Sequence, residues 1–229
     1  MIIQLKNLVN KIFLKFGYRI SKANNSSELV KLYKYKNYEE YKETQVFYNK
    51  KKINHVWADE FTLGKVADFI KKNINKENLK GICHGSRNGF EQNFFNKSIL
   101  NSKIIGTDIS ETAINYKDSV VWDFHKVKED WINYFDFVYS NSLDQSFDPK
   151  TALTSWIGQT NKNGYIIIEH TDQHSVMASG KMDPFGVEPN FFPFLISEWF
   201  GHEVSVKIIK SIKPNKSNAP VWLFVIKKL

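Results

Sequence analysis

Residues 79–92 read LKGICHGSRNGFEQ, a short apolar run that breaks into a glycine turn and then enters a segment of helix-forming character. A strand, a glycine turn and a helix start together offer bare backbone N–H groups and close chain approach, which suits a nucleotide-like ligand. Arg87 stands in that loop where a phosphate cradle would carry glycine. A nicotinamide dinucleotide wants Gly-x-Gly-x-x-Gly, so that its pyrophosphate meets backbone alone at the helix start. The Gly85-x-x-x-Gly89 spacing and Arg87 both count against that ligand.

Upstream of this stretch, the spacing of Leu63, Val66, Ala67 and Ile70 predicts a helix over 61–73. Strands are expected at 81–84, 103–107, 119–121, 135–140, 165–169, 204–210 and 221–226. The central ones are short, β-branched and apolar on both faces, the pattern of strands covered by helices on both sides. The fold class expected is therefore α/β, a doubly wound, mostly parallel seven-stranded sheet. Its last two strands are joined by SIKPNKSNAP, too short for a helix, and so form an antiparallel C-terminal hairpin. Ligands on such sheets sit at the carboxyl ends of the strands.

The chain has 229 residues and a net charge of +8. Residues 1–52 hold 12 Lys/Arg and 4 Asp/Glu, and the remainder holds 20 of each. The whole excess thus lies in the N-terminal segment, which argues against a basic nucleic-acid groove across the fold. Ile2, Leu5, Leu8, Val9, Ile12, Phe13 and Phe16 recur at helical spacing with lysines between them. An N-terminal helical extension over 1–52 and a main domain over 53–229 are expected, the connector being loosely packed with some helix near 38–48. The lysines at 6, 11 and 15 interrupt any signal-peptide core, one cysteine excludes an intramolecular disulfide, and no run of about 18 apolar residues is present. A soluble, cytoplasmic chain is expected. The apolar stripe of the arm must be covered by the body, by a second copy in a homodimer, or by an anionic membrane surface. The aromatic run Tyr33, Tyr35, Tyr38, Tyr41, Phe47 and Tyr48 favours packing over the body, with Trp57 beside the ligand's entrance.

Over roughly 53–229 the order of strands and strand-end residues resembles the class I S-adenosylmethionine-dependent methyltransferases. The family's first motif, acidic-x-Gly-x-Gly-x-Gly, is matched by Gly85 and Gly89; Arg87 replaces the middle glycine, and Cys83 stands where the acid is usual. A guanidinium there would pair with the methionyl carboxylate of S-adenosylmethionine, or else point to solvent. The resemblance, with the chemistry of a carboxylate at a strand end, implies that Asp108 accepts the ribose hydroxyls, beside Ile109, with Ser110 as the N-cap of the segment SETAIN. It implies that Asp123 receives the adenine amine while Phe124 lies against the ring. Ser140 and Asn141 then fall near the transferable methyl group.

Asp144 could take a proton from the acceptor or cap the helix starting near Pro149. His170 is a second candidate base; His170, Asp172 and His174 alternate, so an extended segment would put them on one side. A metal site there is disfavoured for want of a fourth ligand. The MDPFG turn would present Phe185 from a lid-like loop. The family implies methyl transfer to an oxygen or nitrogen of a small-molecule or sugar-linked acceptor, with a lean to surface polysaccharide biosynthesis. A nicotinamide-dependent oxidoreductase and a non-catalytic docking protein of the same fold remain as alternatives.

Overall fold

The computed structural model describes residues 28–215 and 218–229, so the amphipathic pattern over 2–16 lies outside the described residues. The chain enters with β1 (Val30–Leu32), α1 (Tyr38–Lys51) and α2 (Glu60–Asn73). Next come β2 (Leu79–His84), α3 (Phe90–Ser98), β3 (Ser102–Asp108), β4 (Ser119–Val121) and β5 (Phe135–Ser140). Then follow α4 (Pro149–Gln159), β6 (Thr160–Thr171), β7 (Phe185–Val187), α5 (Phe192–Phe200), β8 (Val204–Lys210) and β9 (Val221–Lys228). Side-chain caps fix several helix starts: Asn37 accepts from Glu40 N, Asp59 from Thr62 N and Asp148 from Thr151 N. The cap of α4 is therefore Asp148, which removes that role from Asp144.

Seven strands form one sheet in the order β4-β3-β2-β5-β6-β9-β8. The first five run parallel, and β9 is antiparallel to both β6 and β8, giving the expected hairpin. The chain builds outward from β2 to β4 and then returns to place β5 on the other flank of β2. Loops leaving β2 and β5 consequently diverge and open a crevice at their carboxyl ends.

Two cores sandwich the sheet, because successive strand residues face opposite ways. Ile82, Val138, Ile166, Ile168 and Phe224 pack against Trp156 of α4 and Phe192 of α5. On the other face Cys83, Ile104, Tyr139 and Ile167 pack against Leu63 and Val66 of α2 and Phe95 of α3. The buried Asp136 at the foot of β5 is satisfied by Lys76 Nζ at 2.7 Å, Lys80 N at 2.9 Å and Asn161 Nδ2 at 2.8 Å.

Three expectations are corrected. Residues 30–32 are not loose connector: β1 pairs antiparallel with β7, Val30 opposite Val187 and Leu32 opposite Phe185. Phe185 is accordingly 3% exposed and belongs to the core rather than being presented on a lid. Thr171 Oγ1 accepts from Gln173 N and turns 172–174 into a short 3-10 helix, so the alternation of His170, Asp172 and His174 on one side is lost.

Candidate active site

The loop after β2 holds three residues in the left-handed region within five positions: Gly85 at φ 71°, Arg87 at φ 43° and Gly89 at φ 77°. Glycine takes that conformation without strain and arginine does so at a cost. Two contacts hold Arg87 there: its backbone N–H donates to Asp108 Oδ2 at 3.1 Å, and Nη1 donates to the His55 carbonyl at 3.0 Å. Arg87 thus keeps the backbone shape of the glycine it replaces. The guanidinium lies along a cavity wall.

Asp108 ends β3 as expected, its Oδ1 accepting from Ser110 N at 2.9 Å. Burial raises its pKa, against the hydrogen bonds from Ser110, Arg87 and Asn49 that favour the charged form. Ser110 Oγ accepts from Thr112 N and caps the short 3-10 helix Glu111–Asn115. Past β4, Asp123 Oδ1 accepts from His125 Nδ1 at 2.7 Å and from His125 N at 3.0 Å, while Oδ2 accepts from Tyr38 Oη at 2.6 Å. Burial works against this carboxylate, yet those hydrogen bonds hold its pKa down at about 2. Asp108, Ile109, Asp123 and Phe124 share one narrow pocket with Gly85 and Arg87. Tyr41, Gln45, Tyr48 and Asn49 of α1 close it, leaving about 30 Å³.

The second half of the crevice is open. A cavity of about 490 Å³ runs beside the same loop, lined among others by Arg87, Glu91, Asn141, Asp144, His174 and Asp183, with Trp57 at its wall. Ser140 is fully buried beneath it, donating from Oγ to the His84 carbonyl and accepting from Ser142 N, and so shapes the turn that presents Asn141.

Asp144 sits on the short 3-10 helix Leu143–Gln145. It is 9% exposed, and its Oδ1 has no hydrogen-bond partner among the described residues. Burial raises its pKa to about 7, and burial together with the charge of Asp144 does the same to Asp183. His174 Nε2 lies 3.7 Å from Asp144 Oδ2. Burial lowers His174 to about 4, so at neutral pH the contact is not an ion pair. His170 stacks on Phe192 and faces an enclosed space shared with Asp144 and His174 rather than the large cavity. Burial and His174 hold it well below the usual histidine range. Among the described residues no three His, Cys, Asp or Glu side chains converge on a metal position.

The sequence reading missed Glu91 and Asp183 in the cavity; it pointed to His174 and to the tyrosines of α1 over the body, but not to Gln45 and Asn49 in the narrow pocket. The charge of Glu91 and Asp183 was visible; their burial, which depends on contacts distant in sequence, was not.

No protein-family model and no protein of curated function matches the chain. Solved structures do. The Burkholderia thailandensis 1,6-didemethyltoxoflavin-N1-methyltransferase, with bound 1,6-didemethyltoxoflavin and S-adenosylhomocysteine, superposes with a TM-score of 0.64 at 11% identity, over 90% of this chain and 98% of that one. The plantazolicin methyltransferase BpumL in complex with S-adenosylhomocysteine gives 0.61 at 13% identity, over 83% and 96%. The 4+2 cyclase SpnF gives 0.56 at 8% identity, over 72% and 80%. The chain has the class I S-adenosylmethionine-dependent methyltransferase fold. That fold also serves a protein named as a cyclase, so activity has to be argued from the site.

Proposed function

We propose that this chain is a methyltransferase that moves the methyl group of S-adenosylmethionine to an oxygen or nitrogen of a small-molecule or sugar-linked acceptor. The observation that carries the reading is a set of unsatisfied carboxyl oxygens facing a ligand-sized crevice at the fold's switch point. Glu91 Oε2 and Asp144 Oδ1 are buried without a hydrogen-bond partner among the described residues. Asp108, its oxygens held by backbone N–H groups, ends β3 one strand away. Buried acceptors left unpaired destabilise a chain unless a ligand supplies donors. Hydroxyls, an amine and an ammonium, as S-adenosylmethionine carries them, match that deficit.

Asp108 would hold the ribose, Asp123 and Phe124 the adenine, and Gly85 to Gly89 the methionyl part, with Arg87 on its carboxylate. When bound, S-adenosylmethionine supplies an already activated methyl group, so positioning does most of the remaining work. Asn141 presents the reacting region, and the large cavity receives the acceptor. Asp144, ionised above pH about 7, takes the acceptor's proton as the new bond forms. His174, held neutral beside Asp144, and Trp57 bound the acceptor's space. We assign the covering of the entrance to α1, within one subunit.

Calorimetry with S-adenosylhomocysteine and with a reduced nicotinamide tests this reading. Binding of the first and not the second is expected. Binding of the nicotinamide alone would overturn it in favour of an oxidoreductase.

A further inference from the structure

Glu91 is the second residue of α3, a place where an acid ordinarily lies in solvent and complements the helix dipole. Here it is 6% exposed and forms part of the cavity wall. Oε1 accepts from Asn141 Nδ2 at 3.3 Å, whereas Oε2 has no hydrogen-bond partner among the described residues. Burial raises this carboxyl to about 7, with Asn141 and Arg87 among the groups pulling the other way. Such a carboxyl is costly to keep charged unless a cation meets it. Arg87 is near enough to favour the charged form, but the two make no ion pair, and Arg87 Nη1 donates to the His55 carbonyl instead.

Cys83, at the position where the methyltransferase motif usually places an acid, cannot serve in its stead. Its side chain is turned into the apolar core with Phe95 and Tyr139. Burial first, and then the charge of Glu91, push its thiol well above the usual range, so the two side chains lie near each other. An acid absent from the end of β2 is thus present nearby, on the first turn of α3.

We infer that Glu91 is an ammonium-binding residue, holding the α-amino group of the cofactor's amino-acid part while Arg87 takes the carboxylate of the same zwitterion. The inference rests on the proposed cofactor. It goes further by assigning a role to a residue outside the motif and by explaining how the chain tolerates Cys83. A glutamate and an arginine four residues apart, on either side of a left-handed turn, form a clamp for a free amino acid head group and give nothing to a bare nucleoside.

The test is calorimetry on the full chain with three probes: S-adenosylhomocysteine, its analogue lacking the α-amino group, and 5′-methylthioadenosine, which lacks the whole amino-acid part. Glu91→Gln should bind S-adenosylhomocysteine about 10- to 100-fold more weakly than the natural chain, the loss expected for one charge-assisted hydrogen bond. Affinity for 5′-methylthioadenosine should not change. The natural chain should lose as much on removal of the ligand's amino group as it loses by the mutation, and the mutation should then add nothing, the coupling expected of direct partners. Because the coupling is also read on the unaltered protein, a folding defect cannot mimic it. Equal losses for all three probes, or full affinity of Glu91→Gln for S-adenosylhomocysteine, would overturn the assignment to Glu91 while leaving the proposed cofactor standing. Failure of the natural chain to bind any of the three would overturn both.

Discussion

The two halves of the sheet's carboxyl edge are built on opposite rules. Behind β3 and β4 the polar groups already have partners: Asp123 is held by His125 and Tyr38, Asp108 by two backbone N–H groups, and α1 leaves about 30 Å³ between them. Behind β5 and β6 the cavity is about 490 Å³, and Asp144 Oδ1 and Glu91 Oε2 at its border lack partners among the described residues. On the proposed reading, α1 side chains of the free chain occupy positions the adenosyl group would take. Tyr38 donates to the oxygen an adenine amine would otherwise meet. Entry of the ligand should exchange these contacts for its own, whereas the open half needs no exchange.

Substitution at the open half should give the largest effect. Asp144→Asn should lower kcat about 10²- to 10⁴-fold, the range for losing a general base, with S-adenosylhomocysteine affinity unchanged. In the natural chain the rate should rise with pH through about 7 as Asp144 loses its proton. A methyl-transfer profile flat from pH about 6 to 8 would remove Asp144 from the chemistry.

Asp108→Ala should weaken S-adenosylhomocysteine by about 1.5–3 kcal/mol, since it removes a charged acceptor of hydrogen bonds. Unchanged calorimetric affinity in a variant of native circular dichroism would break the assignment of the closed half to the ribose.

Stability should also report the open half. Glu91, Asp144 and Asp183 each have a folded pKa raised to about 7, so the folded state binds more protons than the unfolded one between the ordinary carboxylate range and that value. Their contribution is fully present below the unfolded pKa values and is lost as pH rises through about 7, with Lys52, Arg87 and His174 nearby to moderate it. Burial lowers the folded pKa of His84, His170 and His174, so these gain stability as pH rises toward about 6.5 and offset the carboxyls over that stretch. The melting temperature should therefore stay nearly level from pH about 5 to about 6.5 and fall from there to about 8, and S-adenosylhomocysteine should recover part of the loss. A melting temperature that climbed between pH about 6.5 and about 8 would contradict the raised values.

The smallest effect should come from the closed half. Tyr38→Phe leaves Asp123 Oδ2 short of a donor in the free chain, so it should lower the melting temperature and tighten adenosine binding a few-fold, by about 1 kcal/mol or less. Weaker adenosine binding would show that Tyr38 holds the ligand instead of standing in for it.

The sequence made the sheet legible because its central strands are short apolar runs at regular spacing, and the hairpin because its connection leaves no room for a helix. It placed Asp108, Asp123 and Asn141 at strand ends for the same reason. What it concealed depends on distant contacts. The pairing of Val30–Leu32 with Phe185–Val187 joins segments of three residues far apart in the chain, too short to leave a periodic signal. Glu91 looks solvated because helix starts favour acids; its burial and its hydrogen bond from Asn141 rest on contacts distant in sequence. His170 and His174 looked equivalent by their spacing, and the turn capped by Thr171 confines His170 to an enclosed space while His174 borders both that space and the cavity.

One ligand spanning both halves would unite these features, and a crystal structure of the chain with S-adenosylhomocysteine decides the matter. Ribose hydroxyls on Asp108, the Tyr38–Asp123 hydrogen bond exchanged for adenine, and the sulfur beside Asn141 with its open side toward Asp144 are the expected result. S-adenosylhomocysteine bound elsewhere, with the Tyr38–Asp123 contact intact and the large cavity empty, would contradict it.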